Sequence, residues 1–460
     1  MKIIFVNSPV IRSKNSSPEN NFKVDGFIFK PIYRKIPGAG RILNILNKKI
    51  GLGKSIRYGV RAGSRWPWTM NNPHGGPPYP FFMGYAAAYL KVNGFEVNII
   101  DAVAEEQYNY QNFLEEVKNE KADIVVVECS TPTIDIDLWI AKKISEFSEV
   151  ALAGPHLTMK AEEVQRENPH IKYFLKGEYI LSSLKMVLSG KSGIYESEVV
   201  EDLDKIPFPF RNYKSAAKYY DPTMPTEKPQ LQIYGSKGCP FKCTFCAWPQ
   251  LMYFGNVSIR KPWKVAEEIK EVVKTHGYKS IFFDDDTFNL GTQRISKLCD
   301  YLRNIGLPWT MMGRLDCSPD WLYDKMIDSG CVGMRFGIET FNLEVLAKVK
   351  KGIERKDFRR VLEYISKKYP KLMLHLTMMK DIPGQTDEIQ QEDMKILQDL
   401  GYGEKGNIYR NYQLSRCAPF PGTEMYKELL DKIGENALKD YKAYDGGQDT
   451  IMKSLSGDKK

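Results

Sequence analysis

The chain of 460 residues is long enough for two or three domains with cores of their own, and its 42% hydrophobic, 12% aromatic and 27% charged residues exclude a disordered tail or linker. No apolar run approaches the roughly 20 residues a membrane helix needs, and Met1 to Pro9 reads as a short strand rather than a signal peptide, so a cytoplasmic protein is expected. The net charge of +9 is uneven: residues 1–66 carry 14 Lys or Arg against Glu19 and Asp25 alone, which makes either a solvated basic surface or an attraction to phosphates or anionic lipid.

Lys2-Ile3-Ile4-Phe5-Val6 reads as a buried parallel strand that Asn7-Ser8-Pro9 ends with turn chemistry, and ligands sit at the carboxyl ends of such strands. Residues 10–70 form a basic, irregular insertion. Within it Ile42 to Ile50 spaces apolar residues as an amphipathic helix does, packed either on its own protein or on a membrane surface. Ser64-Arg65-Trp66-Pro67-Trp68 is aromatic enough to line a pocket. Order returns with a helix over 81–90, stopped by Asn93-Gly94, and a strand over 96–100 ending in Asp101. The unit then repeats. A strand over 123–127 ends in Ser130-Thr131-Pro132-Thr133, a helix over 138–147 follows, a strand over 149–153 ends in Gly154-Pro155-His156, and a strand over 173–176 ends in Gly177-Glu178. Strands alternating with helices of this length predict a doubly wound, Rossmann-like parallel sheet for residues 1–195.

Residues 196–229, with Pro207 and Pro209, have the spacing of a semi-extended linker. A strand over 231–234 then leads to the cysteines. Cys129, Cys299, Cys317, Cys331 and Cys417 lie in apolar or helical surroundings, as reduced buried thiols do, whereas Cys239, Cys243 and Cys246 are spaced C-x3-C-x2-C. Thiolates of this kind select a cubane [4Fe-4S] cluster, and three ligands instead of four leave one iron open to a small molecule. A structural zinc site would need a second Cys/His pair at similar spacing, and none follows. Further strands end at Asp284-Asp285-Asp286, Arg314, Glu339, Asp381-Ile382-Pro383-Gly384 and Arg416, with helices between them. Six βα units with polar residues at their carboxyl ends predict a partial barrel over 230–424, followed by a helical extension and frayed tail over 425–460. The three adjacent aspartates admit two other readings, a divalent metal site or a solvated turn.

The cysteine spacing, Phe245 before the third cysteine and the ordered strand ends resemble the radical S-adenosylmethionine (SAM) superfamily. Cys246-Ala247-Trp248-Pro249-Gln250 resembles its subgroup of hopanoid, chlorophyll and antibiotic enzymes. The resemblance implies a cluster on Cys239, Cys243 and Cys246, SAM chelated to the open iron, and SAM contacts from Phe245, Trp248, Asp284, Asp285, Arg314, Glu339, Gly384 and Arg416. With Pro77-Pro78, the strand-end loops of residues 1–195 resemble the cobalamin-binding domain found ahead of many such enzymes. That implies a corrin held by Ser8, Ser130, Thr131, Pro132, Thr133, Gly154, His156, Gly177 and Glu178. The cobalt-ligating D-x-H-x-x-G motif is absent, as it often is in this group, so His156 is either a cobalt ligand or a hydrogen-bonding loop residue. Together these imply a cobalamin-dependent radical SAM enzyme that methylates an unactivated carbon or phosphorus centre of a small-molecule or lipid substrate, through a 5′-deoxyadenosyl radical and methylcobalamin. The alternative is a dehydratase, cyclase or rearranging enzyme of the same architecture. An electron donor such as flavodoxin or ferredoxin is implied, peripheral membrane contact stays open, and no nucleic-acid module is seen. No residue stands out as a catalytic acid or base.

Overall fold

Lys2–Asn7 (β1) alternates its side chains between two apolar layers, Ile3 and Phe5 on one face and Ile4 and Val6 on the other, all of them fully buried. A strand covered on both faces belongs in a parallel sheet with helices above and below. In the computed structural model, which describes residues 1–13, 56–59, 76–105, 107, 109–352, 358–404, 406–444 and 452, β1 lies parallel to both Glu96–Asp101 (β4) and Ile124–Glu128 (β5). Val10–Ser13 (β2) and Ile56–Gly59 (β3) form a separate antiparallel pair. Glu149–Ala153 (β6), Tyr173–Leu175 (β7) and Gly193–Tyr195 (β8) complete a six-stranded parallel sheet in the order β4-β1-β5-β6-β7-β8. The helix expected at 42–50 and the aromatic stretch at 61–72 lie outside the described residues.

Two elements differ from expectation. The edge strand β8 was not expected, because three residues beginning with Gly193 and flanked by Ser192 and Glu196 leave no periodic signal. The helix expected at 138–147 spans Ile134–Ile144, since the 3-10 turn Thr131–Thr133 runs directly into it; Asp135 and Asp137 sit in its first turn and Lys142 and Lys143 in its last, as the helix dipole favours.

The second sheet is also parallel, in the order β16-β15-β14-β13-β12-β9. Its strands are Gln230–Ile233 (β9), Ser280–Phe283 (β12), Trp309–Gly313 (β13), Cys331–Glu339 (β14), Met373–Lys380 (β15) and Arg410–Arg416 (β16). A short antiparallel pair, Ser236–Lys237 (β10) and Ser258–Ile259 (β11), brackets the cysteine loop. Leu231, Ile281, Met311, Phe336 and Leu376 join the helices in one outer core. The intervening positions face the other way: Phe282 packs on Met224 and Met373, and Arg335, His375 and Asn411 line up in register on three neighbouring strands. This is the partial (β/α)6 barrel that the six strand ends predict.

Residues 196–229, read as a linker, are part of the packed structure. Val200, Leu203, Ile206, Tyr219 and Met224 are buried, and Asp221 pairs with Arg335 at 2.6 Å while its backbone N–H donates to Gln230. Thr223 accepts from Asn411 through its carbonyl, so the segment bridges β9, β14 and β16. Among the described residues, no helix is long and apolar enough to cross a membrane.

Candidate active site

The cysteine loop is held by contacts from other parts of the chain. Gly238 turns it with φ +84°, and an added Cβ would collide with the Asn256 carbonyl oxygen, so only glycine fits. The acidic end of β12 clamps the loop: Asp285 accepts from the Gly235 N–H at 2.8 Å and the Ser236 hydroxyl at 2.6 Å, and Asp286 accepts from the Gly238 N–H at 2.8 Å. Both Asp284 and Asp285 are buried, which excludes the solvated turn. Asp285, expected to touch SAM, has one loop donor on each of its oxygens. Gln250 donates to the carbonyls of Cys243 and Cys246 at 3.0 and 2.8 Å and accepts from the Glu424 N–H, tying the loop to the helix Glu424–Ile433.

Cys239, Cys243 and Cys246 are partly exposed; Cys129, Cys299, Cys331 and Cys417 are buried as expected, whereas Cys317, also expected to be buried, is partly exposed. Burial raises the thiols of Cys239 and Cys243; the Thr287 hydroxyl, 3.3 Å from Cys239, opposes this at the first, and the charges of Lys351 and Arg314 oppose it at the second. Three partly accessible thiols on one rigid loop fit a cubane, in which each thiolate takes its own iron. Among the described residues, no three His, Cys, Asp or Glu converge as a single metal ion requires.

At the barrel mouth, Arg314 stacks on Phe241 of the loop at 3.7 Å and is bidentate to Asp316 at 3.0 and 2.7 Å. Its expected pairing with a SAM carboxylate thus competes with an internal partner. Glu339, at φ +65°, accepts from Lys351 at 2.6 Å. Gly384, at φ +85°, leaves space that the Lys348 ammonium borders, 2.6 Å from where a Cβ would lie. Arg416 pairs with Asp381 at 2.6 Å. Asp284, Arg314, Glu339, Gly384 and Arg416 therefore share the carboxyl rim. Phe245 and Trp248 do not join them: Phe245 packs against Val345, Val349 and Ile382, and Trp248 lies in the core of the first sheet, 6.2 Å from the Phe82 ring. Trp248 is held there because the short helix Ala247–Leu251 docks its apolar side onto that core.

At the rim of the first sheet, Ser130, Thr133 and Asp137 bond one another, with Ser130 to Thr133 and Thr133 to Asp137 both at 2.7 Å. Pro132 packs in the same buried turn. His156 reaches Thr131 at 3.2 Å, and the Tyr441 ring stands edge-on at 4.8 Å. Burial, aided by Lys160, pushes this imidazole down to about 3, leaving it neutral. Gly154, at φ +105°, turns tightly beside the Cys129 backbone. Gly177 donates its N–H to Thr158 at 3.0 Å. The Ser8 hydroxyl and the Asn7 side-chain amide oxygen Oδ1 are buried without a hydrogen-bond partner among the described residues, so this rim fits a polar ligand. Glu178 is fully buried, and its carboxylate pairs with Lys237 and accepts from the Val200 N–H. Sequence reasoning missed Lys237, Gln250, Lys351 and Tyr441; only Gln250 stood within a quoted motif.

Residues 233–396 match the Radical SAM superfamily. The chain is 27% identical to an uncharacterized methyltransferase of Pyrococcus horikoshii over 76% of its own length and 78% of the relative's. It is 24% identical to the anaerobic magnesium-protoporphyrin IX monomethyl ester cyclase of Rubrivivax gelatinosus, over 82% and 68% respectively. Among solved structures, the radical SAM methyltransferase TsrM of Kitasatospora setae, with tryptophan and a SAM analogue bound, shares the fold with a TM-score of 0.59 at 17% identity, covering 78% of this chain and 75% of that one. A second structure of that protein holds cobalamin and a [4Fe-4S] cluster.

Proposed function

We propose, from the premise that this chain is a radical SAM enzyme, that it is a cobalamin-dependent methylase of an unactivated carbon or phosphorus centre in a small-molecule or lipid substrate. The observation that supports this most is the buried pair of Glu178 and Lys237, which joins the carboxyl end of β7 to the strand that carries the cysteine loop. On this reading the two rims that would bear the cofactors meet at this pair, as methyl transfer between them requires. On this reading residues 1–195 receive cobalamin, 196–229 connect, 230–424 form the radical SAM barrel and 425–460 extend it.

The bound groups would supply one-electron cleavage of SAM to a 5′-deoxyadenosyl radical and carriage of a methyl group on cobalt. The chain's own part is to hold and to shield. Cys239, Cys243 and Cys246 would hold the cluster, with Asp285, Asp286 and Gln250 fixing their loop. Asp284, Arg314, Glu339, Gly384 and Arg416 would orient SAM, while Phe245 and Trp248 exclude water from behind the loop. Ser8, Ser130, Thr131, Pro132, Thr133, Gly154, His156 and Gly177 would receive the corrin and its nucleotide tail. A flavodoxin or ferredoxin would supply the electron that the cluster passes to SAM.

The cyclase relative favours a second reading, the same architecture with no methyl transfer. Anaerobic reconstitution with iron, sulfide and hydroxocobalamin separates the two. About four irons and about one retained cobalt per chain are expected. Full iron with no retained cobalt would remove the methylase reading and leave the cyclase, dehydratase or rearranging one.

A further inference from the structure

We propose that Lys351 is a positioning residue that presents Glu339 to SAM and links that presentation to the cysteine loop. The proposal rests on the radical SAM reading above. Glu339 ends β14 in the left-handed region, where a residue with a side chain persists only if its surroundings hold it. The strand register slips between Gly337 and Glu339, and the Lys351 ammonium spans the slip, donating to the Gly337 carbonyl and to the Glu339 carboxylate, both at 2.6 Å. Gly337 makes room for this contact: a Cβ there would lie 2.8 Å from the Glu339 oxygen and 3.3 Å from the Lys351 nitrogen. Lysine is seldom buried unless paired, and Lys351 is only 5% exposed.

The same residue hangs from the cysteine loop. Its carbonyl and that of Gly352 accept from Arg314 at 3.0 and 2.5 Å, and Arg314 stacks on Phe241 between the first two cysteines. Two residues earlier, the Val349 carbonyl accepts from the Thr244 N–H at 3.0 Å. One carboxylate oxygen of Glu339 is thus anchored. The other is the one that an amine or hydroxyl of SAM would meet, in an orientation set by the loop that carries the cluster.

The test is equilibrium dialysis of labelled SAM against the anaerobically reconstituted full chain, with iron content measured on every variant. Lys351→Met is expected to bind SAM about tenfold more weakly at unchanged iron content. Glu339→Gln should weaken binding as well, and the double variant should be no weaker than Glu339→Gln, because the lysine acts through the glutamate. Gly337→Ala keeps the lysine but fills the space of the pair, so it should lose a similar factor and gives an independent reading if Lys351→Met loses its iron. SAM binding by Lys351→Met at the wild-type level, or a double variant whose losses add, would overturn the proposal. A wild type that retains its iron and binds no SAM would overturn the radical SAM reading beneath it as well.

Discussion

His156 and His375 are the side chains whose chemistry the fold changes most plainly. Burial, with Lys160 beside one ring and Arg335 beside the other, pushes them from 6.5 down to about 3 and about 4. Both are neutral in the folded chain, whereas the unfolded imidazoles take up a proton below about pH 6.5. The unfolded state then binds more protons, so this stability is present above pH 6.5 and is lost as pH falls toward the folded values. At about 1.4 kcal/mol per unit, the two sites together cost on the order of several kcal/mol by pH 4. Asp101 works in the opposite sense. Burial pushes it up to about 6, so protonating it favours the folded state, over a smaller span. We predict that the urea midpoint falls between pH 7 and pH 4.5, and that His156→Gln flattens this dependence while lowering stability at pH 7. An unchanged slope in the variant would remove His156 from the account. The position of His156 after β6 is readable from the turn residues around it. Its burial is not, since the covering Tyr441 lies far along the chain.

The cysteine loop shows what local sequence can and cannot convey about an element. Three thiols within eight residues and a glycine before them are local facts, and they identify the loop. The groups that shape it come from elsewhere: Asp285 and Asp286 from the end of β12, Glu424 from the last long helix, and Val349 and Lys351 from the segment after β14. A strand-end carboxylate reads equally well as a ligand contact or a backbone clamp until its partner is known, and the clamp that Asp285 makes on Gly235 and Ser236 leaves no signal in the local sequence. Gly238 allows a direct test. Gly238→Ala must place a Cβ against the Asn256 carbonyl at a positive φ, a strain of about 1–3 kcal/mol confined to the loop. Such an amount reshapes a ligand loop without unfolding two sheets. We expect the variant to keep its far-UV circular dichroism and to lose most of its reconstituted iron and the cluster's visible absorbance. Wild-type iron content would show that the loop tolerates another turn.

For the whole molecule, alternating strands and helices reveal two parallel sheets but not how they are joined, because periodicity says that a face is covered and not by what. Three contacts distant in sequence make the join. Trp248, Leu251 and Met252 behind the cysteines sit in the core of the first sheet; the segment read as a linker is buried between β9, β14 and β16; and Glu178 pairs with Lys237 across the two rims. The pair carries the sharpest consequence. Burial works against both charges, and each offsets the cost of the other. Lys237→Met should leave Glu178 buried and uncompensated, a loss of about 3–5 kcal/mol. The double variant Lys237→Met/Glu178→Gln removes the charge and keeps an acceptor for the Val200 N–H, so it should recover most of that loss. Urea unfolding followed by tryptophan fluorescence checks this, with Trp139 reporting on the first sheet, Trp309 on the barrel and Trp248 on the join. If an uncompensated Glu178 charge loosens the join between the rims, the single variant should unfold in two separated steps and the double variant in one. A single variant as stable as the wild type would instead mean that apolar packing around Trp248 joins the sheets alone, with Lys237 replaceable beside the cluster loop.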